Sequence, residues 1–146
     1  MRVEQSIRIA APRESVWRYV SEPERYSEFM VGSRWDPIPG EPVSGLRARF
    51  EICIEVVSID LGGTVEVVEL DPPHELAWTS ITGIDHRGRW ILRERKGETK
   101  VTIRLSYQVP GGILALVASR MGAPVIRRDV RRSLVALKDL LDGGPQ

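Results

Sequence analysis

The stretch "WTSITGIDHRGRW", residues 78–90, holds Ser80 and His86, and the run that follows it brings Tyr107. A hydroxyl, an imidazole and a phenol gathered on one surface can orient a ligand carbonyl. They can also move a proton beside that carbonyl while a donor steadies the developing enolate. Whether they meet depends on strand pairing. If "GID" at 83–85 is a three-residue hairpin loop, Thr82 faces His86, Ser80 faces Gly88 and Trp78 faces Trp90. If "KGET" turns with Gly97 as its first central residue, Trp90 lies opposite Leu105 and Gly88 opposite Tyr107. The expected inward face then carries a Trp78/Trp90 pair beside Leu105. Next to it lies a more polar patch of Ser80, Thr82, His86 and Tyr107, with Gly88 leaving space. A one-residue slip in either hairpin would turn half of this set outward.

Other reactive types weigh less. Cys53 would need a nearby base to act as a thiolate, and its parity opposes the apolar face of its strand. As the single cysteine it also excludes an internal disulfide. His74 and His86 lack zinc-site spacing, so neither a structural metal nor a cofactor is expected. The glycine pairs at 62–63 and 111–112 fit turns and lack phosphate-loop spacing. "RRDVRR" at 127–132, with Arg120 upstream, makes a basic helical face that would allow transient contact with an anionic membrane surface. A solvated face, offset by Asp129, is the commoner use of such a run.

The elements that must position these groups follow from periodicity. Val3, Gln5, Ile7 and Ile9 alternate with polar neighbours, as in a half-buried strand. Pro12 suits the first turn of a helix whose apolar face is Val16, Trp17 and Val20. Ser21 and Pro23 then open a second short helix carrying Tyr26, Phe29 and Met30. From about Gly32 to Pro110, runs rich in Val, Ile, Thr and Trp are broken by "PGEP", "LGG", "DPP", "TGID" and "KGE". This predicts six strands, and the breaks are too short for helical crossovers, so the sheet is an antiparallel meander. In the clearest of them Leu46, Ala48, Phe50, Ile52, Ile54 and Val56 point one way, and Arg47, Arg49, Glu51 and Glu55 the other. Beyond "PGG" at 110–112 the pattern is helical, with Ile126, Val130, Leu134, Leu137 and Leu141 on one face and a break expected near 121–124 at Gly122 and Pro124.

The totals bound the function. A chain of 146 residues predicts one domain, 1–146, with a sizeable core. Its formal charge of +1, from 21 basic and 20 acidic side chains, does not suit a nucleic-acid binder. The N-terminus lacks a signal-peptide pattern and no run is long enough to span a bilayer, so a cytoplasmic location is expected. The order of strand, two short helices, six-stranded meander and long amphipathic helix is an α+β layout, with a curved antiparallel sheet of about seven strands wrapped on the C-terminal helix.

With that order, "SIRIAAPRESVWRYVSEPERYSEF" (6–29), "DPPHELAW" (71–78), "GRWIL" (88–92) and "SLVALKDLL" (133–141) resemble the START-like superfamily, also called SRPBCC. That group includes the birch-pollen-allergen fold, lipid-transfer domains and polyketide cyclase/dehydrases. The resemblance covers nearly the whole chain and implies a helix-grip fold enclosing an elongated apolar cavity. It does not imply a particular reaction, because one fold hosts many functions.

The expected function is therefore to bind or carry a hydrophobic small molecule, lipid-like, polyketide-like or aromatic. Its wall would be Phe29, Phe50, Ile52, Ile54, Trp78, Ser80, His86, Trp90, Leu105 and Tyr107, with Leu116, Val117 and Met121 from the helical part. The alternative is a polyketide cyclase or aromatase in which His86 and Tyr107 act as acid, base or donor and Ser80 assists. "WTSITGIDH" departs from the aromatase branch, which carries an arginine in that region; the first here is Arg87, with outward parity. A third reading, a protein-interaction module using the basic helix, would need no cavity.

Overall fold

A computed structural model of the chain describes residues 2–56, 59–108 and 122–142. Within them the alternating N-terminal run forms strand β1 (Arg2–Ile9), followed by helix α1 (Arg13–Val20) and a 3-10 helix (Pro23–Glu28). Six further strands follow: β2 (Ser33–Pro37), β3 (Arg49–Val56), β4 (Ile59–Asp71), β5 (Glu75–Gly83), β6 (Asp85–Arg95) and β7 (Glu98–Gln108). The C-terminal helix α2 spans Ala123–Asp142. Pro124 sits in its first turn, where a missing N–H costs nothing.

All seven strands form one antiparallel sheet in the order β1-β7-β6-β5-β4-β3-β2. It is a meander with β1 added beside β7, and α2 packs against β1, as the α+β helix-grip layout requires. Register shifts at Thr64/Val65 and Val67/Glu69 in β4 supply the irregularities that bend a strand and increase its twist. The alternation is sharpest in β3, where Phe50, Ile52, Ile54 and Val56 are buried while Arg49, Glu51 and Glu55 are exposed. On α2, Ile126, Val130, Leu134, Leu137 and Leu141 complete the core from the other side.

Several local expectations are corrected. Ser21 does not cap the 3-10 helix: its hydroxyl donates to the Trp17 carbonyl at 2.5 Å and so closes the end of α1. Leu46 is 54% exposed and lies before β3, because the chain turns through Gly45 and Arg47, both at positive φ, before the strand begins. Gly62 and Gly63 are not a turn but lie within β4, paired with Cys53 and Ile52. A Cβ on Gly63 would stand 2.3 Å from the Thr82 carbonyl oxygen, so the strand there needs glycine for backbone approach.

Both hairpins differ from the expected register by two residues. Trp78 pairs with Gly88 and Leu76 with Trp90, because β5 leaves β6 after Thr79 and continues along β4 to Gly83. Trp90 pairs with Ile103, Gly88 with Leu105 and His86 with Tyr107. This turn centres on Lys96 and Gly97, both at positive φ, whose twist matches that of the flanking strands. A shift of two preserves alternation, so Trp78 and Trp90 still share the inner surface, whereas Thr82, expected to point inward, is exposed and accepts from the Thr64 N–H.

Candidate functional site

His86 is 3% exposed and lies on β6 between two aromatic rings. Its imidazole stacks on Tyr107 of β7 with centroids 4.6 Å apart and planes 22° from parallel. From β5, the indole N–H of Trp78 donates to His86 Nε2 at 2.9 Å. Trp78 reaches there because Gly88 lets it lie flat across β6; a Cβ on Gly88 would come within 2.0 Å of the indole. The expected free space beside Gly88 is thus taken by Trp78. Ser80 supports the same residue from outside the ring, its hydroxyl accepting from the His86 backbone N–H at 3.1 Å.

Burial pushes the imidazole down to about 4 from 6.5, and the Ser106 backbone opposes the shift without reaching hydrogen-bonding geometry. The ring is therefore neutral at pH 7. Since Nε2 accepts from Trp78, the ring proton resides on Nδ1. That Nδ1 is buried and makes no hydrogen bond among the described residues, and the same is true of the Ser33 hydroxyl on β2.

Both orphans line one cavity of about 30 Å³ between the concave sheet and α2. Its apolar wall includes Met30, Trp35, Ile52, Ile54, Leu105 and Ile126. As it stands the space suits roughly one or two waters rather than the ~300–1,000 Å³ that a drug-sized ligand fills. Buried polar groups are nearly always satisfied, so two unsatisfied ones on residues that line one cavity set it apart from the rest of the described core.

Of the residues expected to line a pocket, the cavity brings together Ile52, Ile54, Trp78, His86, Leu105 and Tyr107. Phe29, Phe50 and Trp90 are instead packed in solid core. Trp90 lies edge-on to Tyr26 and Phe29 at 6.2 Å each, and its indole N–H donates to the Tyr26 hydroxyl at 3.0 Å. Phe50 packs on Trp35 at 5.9 Å. Leu116, Val117 and Met121 lie outside the described residues.

The residues that sequence reasoning missed sit at the rim. Asp129 and Ser133 of α2 line the cavity beside Val31 and Gly32, and the exposed Glu55 borders it at the end of β3. Ser133 Oγ accepts from the Val31 backbone N–H at 2.8 Å and donates to the Asp129 carbonyl at 2.7 Å, which pins α2 to the residues before β2. Gly32, at φ +81°, lies against the Asp129 carboxylate, where a Cβ would stand 2.4 Å from Oδ2. The alternation of Ser33, Trp35 and Pro37 could have placed Ser33 inside, but nothing local announces the helix contact. Cys53 lies outside the cavity in a shallow charged groove with Arg34, Asp60 and Arg132. Of the basic run, Arg128 approaches Asp129 at 3.4 Å and Arg131 donates to the Ser6 carbonyl at 3.4 Å. Among the described residues no three acidic, histidine or cysteine side chains cluster as metal ligands, and no helix is long and apolar enough to cross a membrane.

A curved seven-stranded antiparallel sheet gripping one long helix over an internal cavity defines the helix-grip class. The chain belongs to the polyketide cyclase/dehydrase and lipid transport family, which matches residues 1–142. No curated protein matches it. Among solved structures it is similar to TTHA0849 from Thermus thermophilus, with 19% identity, TM-score 0.81 and 97% of each chain covered. It is also similar to the Zhui aromatase/cyclase from Streptomyces sp. R1128, with 16% identity, TM-score 0.74, and 97% of this chain and 93% of that one covered. The Aha1 dimer from Colwellia psychrerythraea has 13% identity and TM-score 0.65, with 100% of this chain and 99% of that one covered. At these identities the likeness speaks for the fold alone.

Proposed function

We propose that this protein binds a hydrophobic small molecule, lipid-like, polyketide-like or aromatic, between the concave sheet and α2. The observation that carries the reading is an apolar cavity lined by His86 and Ser33, whose buried Nδ1 and Oγ make no hydrogen bond among the described residues. Burial of ligand surface at roughly 25 cal/mol per Å² would supply most of the affinity, and the two polar groups the orientation. Since the described cavity holds only about 30 Å³, entry of such a ligand requires α2 and the Met30–Ser33 segment to part.

The alternative, a cyclase-type enzyme using His86 as a base, has the chemistry of the ring against it. The lone pair on Nε2 is engaged by Trp78, and the remaining ring nitrogen, Nδ1, carries the proton. In this state His86 donates to a ligand oxygen rather than abstracting a proton from carbon. A donor can still polarise a carbonyl, so Tyr107 and Ser80 would have to supply the rest of any catalysis.

Native mass spectrometry of the purified protein, before and after organic extraction, tests the binding reading together with a titration against neutral aromatic probes. A retained apolar molecule or saturable binding is expected. Finding neither would sink it. Turnover of a candidate polyketide that survives His86→Gln unchanged would remove His86 from any enzymatic role.

A further inference from the structure

We infer that the cavity selects its ligand by charge: it takes an apolar body whose polar end is an uncharged hydrogen-bond acceptor, such as a ketone oxygen, and refuses the corresponding carboxylate. This rests on the ligand-binding reading above and narrows it.

At the inner end the only unused function of His86 is a single N–H. Nε2 is occupied by Trp78, the residue is 3% exposed, and Nδ1 makes no hydrogen bond among the described residues. A lone donor recognises an acceptor, and a neutral ring offers no positive charge to balance an anion. The Ser33 hydroxyl, also buried and unused, can donate to the same oxygen or accept from a neighbouring hydroxyl.

The rim adds the second half of the selection. Glu55 and Asp129 line the cavity, and no lysine or arginine is among its described lining residues. Arg128 and Arg132 line the neighbouring outer groove, which Glu55 and Asp129 share, and there Arg128 approaches Asp129 at 3.4 Å. Among the described lining residues, a carboxylate carried inward would meet a neutral donor and no cation, and desolvating an unpaired ion is costly. Held at the rim, it would lie beside the Asp129 carboxylate, a like charge. A ketone suffers neither penalty and gains the hydrogen bond that a plain hydrocarbon cannot make.

The test uses the intact chain near pH 7 and three probes with one ring system: acetylnaphthalene, ethylnaphthalene and naphthoate, titrated by isothermal calorimetry. Acetylnaphthalene should bind about 5–10-fold tighter than ethylnaphthalene, the worth of one hydrogen bond. Naphthoate should bind at least about tenfold weaker than the ketone, as expected for an unpaired charge. Asp129→Asn and Glu55→Gln should narrow the carboxylate penalty, and Ser33→Ala, a mild change at the wall, should reduce the preference for the ketone. Naphthoate binding as tightly as acetylnaphthalene would overturn the charge selection and leave the ligand-binding reading standing. Equal affinity for ketone and hydrocarbon would remove the role given to His86 Nδ1. Binding of none of the three would remove both readings together.

Discussion

The indole N–H of Trp78 donates to His86 Nε2 at 2.9 Å inside the core, so an aromatic residue of β5 sets the tautomer of a histidine on β6. Protonating that histidine would place two donors face to face in a buried site. The local structure thus requires the neutral ring, whose one remaining proton sits on Nδ1.

A pH dependence of stability follows. The imidazole is lowered from 6.5 to about 4 by burial, so between these values the unfolded chain binds a proton that the folded chain refuses. The stability associated with the neutral ring is fully present above about 6.5 and is lost as pH falls toward 4. Between about pH 7 and pH 5 the loss should be ~2 kcal/mol in urea unfolding. His86→Gln should flatten that segment of the curve. A wild-type curve already flat over the same range would show that His86 is not held neutral.

Gly88→Ala tests the close seating of Trp78. The new methyl would lie 2.0 Å from the indole and force it off the strand, breaking its contact with His86. A destabilisation of roughly 1–3 kcal/mol is expected, with a shift in tryptophan emission as an indole moves. An unchanged urea midpoint and emission spectrum would mean that Trp78 does not lie across Gly88.

How far the site could be read from sequence depends on which interactions are local. The inward positions of Trp78, His86, Trp90, Leu105 and Tyr107 were legible because alternation assigns faces independently of register and both hairpins moved by an even number of residues, while Thr82 at the end of β5 turned outward. The partners themselves were not legible. "RKGE" admits a turn centred on Lys96 and Gly97 as readily as one centred on Gly97 and Glu98, and only the flanking strand twist decides. Likewise, nothing near Trp78 shows that its ring fills the gap above Gly88. Ser33, Asp129 and Ser133 were missed for a different reason: they acquire a role only when α2 docks about a hundred residues away in sequence, through the bond from Val31 N to Ser133 Oγ. The fold signature in 6–29 is mainly scaffold, and Tyr26 and Phe29 pack against Trp90 in the aromatic core.

That core gives a further prediction. The Tyr26 hydroxyl donates to the Val20 carbonyl at 2.6 Å and accepts from Trp90 Nε1 at 3.0 Å, which ties the 3-10 helix to α1 and to β6. Tyr26→Phe leaves both partners buried and unsatisfied and should cost about 1–3 kcal/mol in urea unfolding. Burial also pushes the phenols of Tyr26 and Tyr107 well above their ordinary 10. In an ultraviolet titration these two should ionise only as the protein unfolds at high pH. Reversible ionisation of all three tyrosines in the folded state would contradict their burial.

The contact of Ser133 with Val31 closes the rim of the cavity, and its removal should act on stability and on access in opposite senses. Ser133→Ala deletes an acceptor for the Val31 N–H and a donor to the Asp129 carbonyl, at a cost of about 1–2 kcal/mol. The same loss frees the Val31–Gly32 backbone from α2, so acetylnaphthalene should associate faster in stopped-flow tryptophan quenching even as the urea midpoint falls. Gly32→Ala is the complementary change. Its methyl would stand 2.4 Å from Asp129 Oδ2 on a backbone at φ +81°, adding steric and conformational strain of roughly 1–3 kcal/mol at the same joint. Asp129→Ala in that background should recover only part of the loss, because the positive φ remains and the residue-129 Cβ still lies 3.1 Å away. If Ser133→Ala lowers stability while leaving the association rate unchanged, the helix contact is structural and ligands enter elsewhere.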